Sequence, residues 1–303
     1  MSSARARFQR LERNSHSFTL ELWPNPGAGS VLFYPGTMLS PRHYRTLLAA
    51  LRRSGLAVAG LHLAGHGVNP HKGGFTFASL LEDGLFAERW LHEAGLGPVA
   101  VCGHSQGGIL TVAHAARSTT LTAAFAICAI LPHMPRAIEL TRFARFARER
   151  DRLERAIVRL GRALPWLPVP LAAYLSLGRV LAGHGELAMP RGGSRYTYPL
   201  GFLASLFSAR IGTELTCPFR LYNARDDALF TPSLAREFFN AIHAPEKTLV
   251  WLPDGGHLAP MMPPRAAFMA RDMAAVCAGL GMELHLEAAG PTKKQARRHF
   301  YGL

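Results

Sequence analysis

From residue 31 to residue 131, short apolar runs alternate with amphipathic segments, and few architectures accommodate that order. Val31–Tyr34, Leu56–Leu63, Pro98–Cys102 and Ala123–Leu131 are apolar runs short enough to be buried strands. Between them lie helical patterns. Pro41 opens one, with Tyr44, Leu47, Leu48 and Leu51 on its apolar side and Gly55 closing it. Residues 77–94 and 105–116 form two more. Strand–helix alternation predicts an α/β fold, with a mostly parallel, doubly wound sheet. Right-handed crossovers point all the strand C-termini to one edge, and the loops leaving that edge are where a site belongs.

The alternation stops near residue 132 and resumes with strand Phe219–Tyr222, helix Pro232–Ile242, strand Thr248–Leu252 and a helix over 264–279. Residues 136–162 read as one arginine-rich helix with an apolar stripe of Phe143, Phe146, Leu153, Ile157, Leu160 and Leu164. A proline-punctured apolar stretch and a Gly-rich stretch (183–194) follow it. We therefore expect a core built from 1–131 and 211–303, with 132–210 inserted as a helical unit. Phe18–Trp23 alternates and reads as an additional strand, and residues 293–298 read as a mobile basic tail.

The segment Gly103-His104-Ser105-Gln106-Gly107 sits between the strand at 98–102 and the helix at 105–116. G-x-S-x-G by itself is a weak pattern, but a nucleophile elbow requires this strand–turn–helix setting. Glycines on both sides of Ser105 let strand and helix approach closely. A serine hydroxyl needs a base. His257 follows strand Thr248–Leu252 behind Gly255 and Gly256, a pair expected to form a mobile turn. His104 and His66 are rivals, His104 discounted because side chains adjacent in a turn diverge. The base in turn needs a carboxylate, and Asp226 and Asp227 follow strand Phe219–Tyr222, giving the chain order Ser, Asp, His. Backbone amides must then stabilise the oxyanion. The Gln106 amide is one candidate, and Thr37 supplies the other from the turn after Val31–Tyr34, with Met38 as second choice.

These segments resemble the α/β-hydrolase superfamily, nearest to its lysophospholipase and monoacylglycerol-lipase-like branch. The resemblance is carried by Tyr34-Pro35-Gly36-Thr37, Gly65-His66-Gly67, Gly103–Gly107, Asp227-Ala228-Leu229-Phe230 and Gly256-His257, and covers about 30–131 and 218–280. Pro35 stands where the family has histidine, and His62 and Ala64 where it has Asp and Arg. The resemblance implies that Asp227, the second acid of its pair, is the triad member, and that 132–210 is a cap over the site.

The expected chemistry is hydrolysis of a carboxylic ester with an apolar acyl or alkyl group, through an acyl-enzyme on Ser105, with no cofactor and no metal. An acyltransferase or thioesterase using the same residues is the alternative, and a non-catalytic hydrolase-like binder is a further one. Hydrophobic residues at 49% and charged residues at 18% describe a folded chain. The formal charge is +14, almost all from arginine, since only Lys72, Lys247, Lys293 and Lys294 are lysines. We read that as lineage bias. Basic and aromatic residues do not interleave as in nucleic-acid modules, so no nucleic-acid partner is expected. The arginine face of the insertion could meet an anionic membrane surface weakly. The four cysteines (Cys102, Cys128, Cys217, Cys277) lack metal-type spacing and read as buried thiols. No secretory signal or long apolar span is evident, so a cytoplasmic location is expected.

Overall fold

The computed structural model describes residues 6–13, 16–69, 74–175 and 195–286. The Gly-rich stretch 183–194 and the basic tail at 293–298 lie outside them. The core begins with strands β1 (Arg7–Arg13), β2 (His16–Trp23) and β3 (Ser30–Tyr34). A turn of 3-10 helix at Pro41–Tyr44 leads into α1 (Arg45–Arg53), then β4 (Ala57–His62) and α2 (Phe77–Glu93). Next come β5 (Val99–His104), α3 (Gln106–Ala115) and β6 (Ala124–Ile127). The insertion carries α4 (Arg150–Ala163), β7 (Pro168–Pro170), α5 (Leu171–Tyr174), β8 (Thr197–Pro199) and α6 (Leu200–Phe207). Strand β9 (Phe219–Ala224), α7 (Pro232–Ala241), β10 (Lys247–Leu252) and α8 (Pro263–Gly279) complete the core.

Among the described residues, eight strands form one sheet in the order β1-β2-β4-β3-β5-β6-β9-β10. β1 and β2 pair antiparallel, β2 runs antiparallel to β4, and every pairing from β4 through β10 is parallel. The expected doubly wound α/β sheet is therefore present. Every residue of β3, β4, β5 and β6 is buried, which is why those strands read as unbroken apolar runs. Each fully buried Phe or Leu in them contributes roughly 1.5–3 kcal/mol. The order sets β5 between β3 and β6, with β9 and β10 beyond. The turns after β3, β5, β9 and β10 therefore open along one edge of the sheet.

Three expectations need correction. β1 was not expected. Its seven residues are Arg, Gln and Glu apart from Phe8 and Leu11, which lack a two-residue spacing, and only Leu11 is buried, because this is the outermost strand. β6 ends at Ile127 rather than Leu131, because Cys128 turns the backbone to φ +49°. The single helix over 136–162 is three pieces: 3-10 turns at Pro135–Leu140 and Ala144–Glu149, then α4. Phe146 is non-helical at φ −101°, ψ 27°, and that kink divides the apolar stripe. Phe143, Leu153 and Ile157 face inward, whereas Phe146 and Leu160 are exposed. The insertion also contains strand pairing that its sequence did not signal: β7 and β8 pair antiparallel, with Val169 opposite Tyr198. No helix among the described residues is long and apolar enough to cross a membrane.

Candidate active site

Ser105 occupies the turn between β5 and α3 at φ 56°, ψ −118°, a left-handed region that costs a non-glycine residue on the order of 1–3 kcal/mol. Its neighbours show what holds it there. A Cβ on Gly103 would collide with the Gly107 carbonyl, and one on Gly107 with the Tyr34 carbonyl. Glycine at both positions is thus a steric requirement of the elbow. The Ser105 amide donates to Ile127 O at 2.9 Å, tying the turn to β6.

His257 lies in a 3-10 turn after β10 and is 5% exposed. Its Nδ1 is 3.3 Å from Asp227 Oδ2. Asp227 Oδ1 accepts the amides of Leu229 and Phe230, both at 2.8 Å. Burial alone would raise the Asp227 carboxyl. The hydrogen bond and charge of His257, with the two amides, outweigh it and hold the group below the ordinary carboxylate value. An ionised Asp227 keeps the His257 proton on Nδ1 and leaves Nε2 as an acceptor. The imidazole stacks on Phe230, with centroids 5.1 Å apart and planes 10° from parallel.

Asp226 serves the same turn differently. Its carboxylate accepts the amides of Gly255 at 3.2 Å and Gly256 at 2.9 Å. Those glycines sit at φ 112° and 48°. The turn expected to be mobile is thus pinned from the loop after β9, and the adjacent acids make different contacts.

The rival histidines are occupied. His104 Nε2 donates to His257 O at 2.9 Å, so its Nδ1 accepts the Tyr44 hydroxyl at 2.7 Å. Burial and the neighbouring His257 hold His104 well below the usual histidine value. His66 Nδ1 donates to Ala64 O at 2.9 Å, and its Nε2 accepts Tyr198 Oη at 2.6 Å. The His104, Cys128 and His257 donor atoms lie within 4.8 Å of one another. With both His104 nitrogens engaged and burial pushing the Cys128 thiol well up, this cluster is accounted for by hydrogen bonding and is ill suited to hold a cation.

Thr37, Ser105, Gln106 and His257 line one cavity of about 1280 Å³, a volume that includes the space opening to solvent. Ile138, Phe143, Leu153, Ile157 and Phe207 of the insertion form much of its apolar wall. Among the described residues no hydrogen bond takes the Thr37 amide, whereas Met38 N is spent on Tyr198 Oη at 2.7 Å. That favours Thr37 over Met38 as a donor to substrate. The Gln106 amide is the first of α3 and has no intrahelical acceptor. Thr37 Oγ1 donates to Gln106 Oε1 at 3.1 Å, linking the two turns. Among the described residues, no hydrogen bond joins Ser105 Oγ to His257. The two side chains share the cavity, and such contacts commonly tighten only around substrate.

Tyr44, Phe230 and Tyr198 complete the surroundings of the site. The sequence pattern puts Tyr44 on a helix's apolar face and Phe230 in the Asp227–Phe230 motif. No spacing or composition signal singled out Tyr198.

Solved structures with this fold include a monoacylglycerol lipase of Paleococcus ferrophilus (17% identity, 87% of this chain and 99% of that one, TM-score 0.67). A soluble variant of monoglyceride lipase from Saccharomyces cerevisiae, bound to a substrate analog, matches at 17% identity over 92% of this chain and 96% of that one (TM-score 0.70). A thioesterase domain from the curacin biosynthetic pathway matches at 20% identity over 89% and 99%, with a TM-score of 0.58. No curated protein sequence matches this chain. The model of the alpha/beta hydrolase family matches residues 31–271, and the chain belongs to that family.

Proposed function

We propose that this protein hydrolyses a carboxylic ester bearing an apolar acyl or alkyl group, with Ser105 as nucleophile, His257 as base and Asp227 as the carboxylate that orients it. The observation carrying this reading is the 3.3 Å contact of Asp227 Oδ2 with His257 Nδ1, with His257 and the strained Ser105 lining the same apolar cavity. Ser105 Oγ attacks the ester carbonyl carbon while its proton passes to His257 Nε2. The tetrahedral oxyanion is met by the amides of Thr37 and Gln106. The carbon–oxygen bond to the alcohol breaks, and His257 returns the proton to the departing alkoxide. Water, deprotonated by His257, then releases the acid and restores Ser105.

The insertion acts as a cap in this reading. Its apolar wall favours substrates with a hydrophobic chain. The monoacylglycerol and monoglyceride lipases named above support ester hydrolysis as the reaction class. The thioesterase domain keeps a thioester within the range of candidate substrates. The test is labelling with a fluorophosphonate followed by peptide mass spectrometry, together with turnover of p-nitrophenyl esters of graded chain length. We expect the label on Ser105, loss of turnover in Ser105→Ala, and higher kcat/KM for medium than for acetyl chains. A label on another residue, or full turnover by Ser105→Ala, defeats the assignment.

A further inference from the structure

Both backbone polar groups of Met38, the residue after Thr37, are held by the end of the insertion. Met38 N donates to Tyr198 Oη at 2.7 Å, and Arg195 N donates to Met38 O at 2.9 Å. Met38 itself sits at φ 62°, a left-handed conformation that a side-chain-bearing residue keeps only when its surroundings impose it. Those surroundings come from a segment far away in the chain.

Tyr198 is built to do this. It is fully buried on β8, and its ring stacks on Phe202 with centroids 5.0 Å apart. The Arg195 guanidinium lies over the rings of Tyr198 and Phe75, at 5.8 and 5.1 Å. The hydroxyl donates to His66 Nε2, whose ring is fixed by the bond from Nδ1 to Ala64 O. A hydroxyl that donates to a fixed imidazole presents its oxygen lone pair in a set direction and becomes a better acceptor. Met38 N is what it accepts.

We infer that Tyr198 is a positioning residue for the oxyanion turn: by accepting the Met38 amide it fixes Met38 in its left-handed conformation and leaves the Thr37 amide as the free donor of that turn. This rests on the reading of Thr37 as an oxyanion donor. It goes beyond that reading in making the insertion more than a wall. The docking of the insertion on the core sets the geometry in which the tetrahedral intermediate is stabilised. Tyr198 itself does not line the substrate cavity, and it acts through the amide geometry of the turn, so its effect is read in kcat more than in KM.

The experiment compares Tyr198→Phe with Phe75→Leu and Ser105→Ala in the full chain, using p-nitrophenyl butyrate. Tyr198→Phe keeps the ring and removes the acceptor. We expect kcat to fall about tenfold with KM within about twofold, the size of one lost hydrogen bond in the transition state. Phe75→Leu disturbs the same packing without touching the hydroxyl. It should lower Tm at least as much as Tyr198→Phe while leaving kcat within about twofold. Wild-type kcat in Tyr198→Phe overturns the inference, as does an equal kcat loss in Phe75→Leu. Turnover by Ser105→Ala would instead overturn the reading of the site beneath it.

Discussion

Asp226 and Asp227 are adjacent in sequence and hold successive residues of the same turn in different ways: Asp226 accepts the Gly256 amide at 2.9 Å, and Asp227 meets the His257 ring at 3.3 Å. The pair therefore separates placement of the backbone from orientation of the imidazole. Asp227→Asn keeps the shape but no longer holds the proton on His257 Nδ1, and we expect kcat to fall by about 10³–10⁴. Asp226→Asn keeps one acceptor oxygen for the two glycine amides and should cost about tenfold or less. Steady-state kinetics on both variants checks the ranking, and a larger loss in Asp226→Asn would exchange their roles.

Gly107 marks where the elbow touches the end of β3, since a Cβ there runs into the Tyr34 carbonyl and approaches Pro35 O at 2.7 Å. Backbone cannot rotate away as a side-chain tip can. Gly107→Ala should therefore force α3 off β3, with a stability loss above about 2 kcal/mol and loss of labelling at Ser105. Gly95→Ala is the control. Nothing lies within 4 Å of its Cβ position, but its φ of 69° makes it a test of backbone strain alone, with a loss of about 1 kcal/mol and labelling retained. Urea denaturation and probe labelling measure both.

Much of this was legible in the sequence because it depends on local pattern. The strands β3, β4, β5, β9 and β10 and the helices after them follow from period and punctuation, and turns at strand ends point to Ser105, His257 and the Asp226-Asp227 pair, between which only the family resemblance chooses. What was not legible depends on partners distant in the chain. The kink at Phe146 leaves no Gly or Pro to announce it. His62, found where the family has an aspartate, is buried against Glu21 at 3.2 Å and accepts the Val68 amide, so an imidazole supports that loop through a carboxylate contributed by β2. No reading of residues 62–67 alone contains Glu21. Tyr44 was legible as apolar helix surface, but its hydroxyl matters only once Gly36 and His104 are brought beside it.

That hydroxyl accepts the Gly36 amide at 2.9 Å and donates to His104 Nδ1, while His104 Nε2 holds the carbonyl of His257. The chain of bonds runs from the turn after β3 to the backbone of His257. Tyr44→Phe leaves a buried amide and a buried imidazole nitrogen unpaired, which costs about 1–3 kcal/mol. Because His104 belongs to the same chain, His104→Gln and Tyr44→Phe should be non-additive in Tm and in kcat. Additive losses in a double-mutant cycle would show that the two ends are not coupled.

The last prediction concerns acid. Glu88 is buried on α2, and its carboxylate accepts from His114 Nε2 at 2.7 Å, Ser118 Oγ at 2.7 Å and Thr120 Oγ1 at 2.7 Å. Burial pushes its value up, but these donors prevail and hold it down to about 2 against an ordinary 4.5. His114 Nδ1 reaches the Tyr34 hydroxyl at 2.7 Å, so the network joins α2 and α3 to β3. A carboxyl depressed in the folded state contributes stability that is fully present above its unfolded value. That stability is lost as pH falls through the folded one. The window is therefore about 4.5 down to 2, and the contribution is on the order of 3 kcal/mol. His66, which burial lowers to about 4 against an ordinary 6.5, acts earlier in the same direction, because the unfolded chain takes up its proton first. Wild-type Tm should thus decline in two stages on acidification. Glu88→Gln should be less stable at pH 7 and make the second stage, which Asp227 shares, shallower, whereas His66→Gln should make the first, which His104 shares, shallower. Thermal melts between pH 7 and pH 2 decide it, and an unchanged acid limb in Glu88→Gln would mean that this carboxylate does not set the protein's acid tolerance.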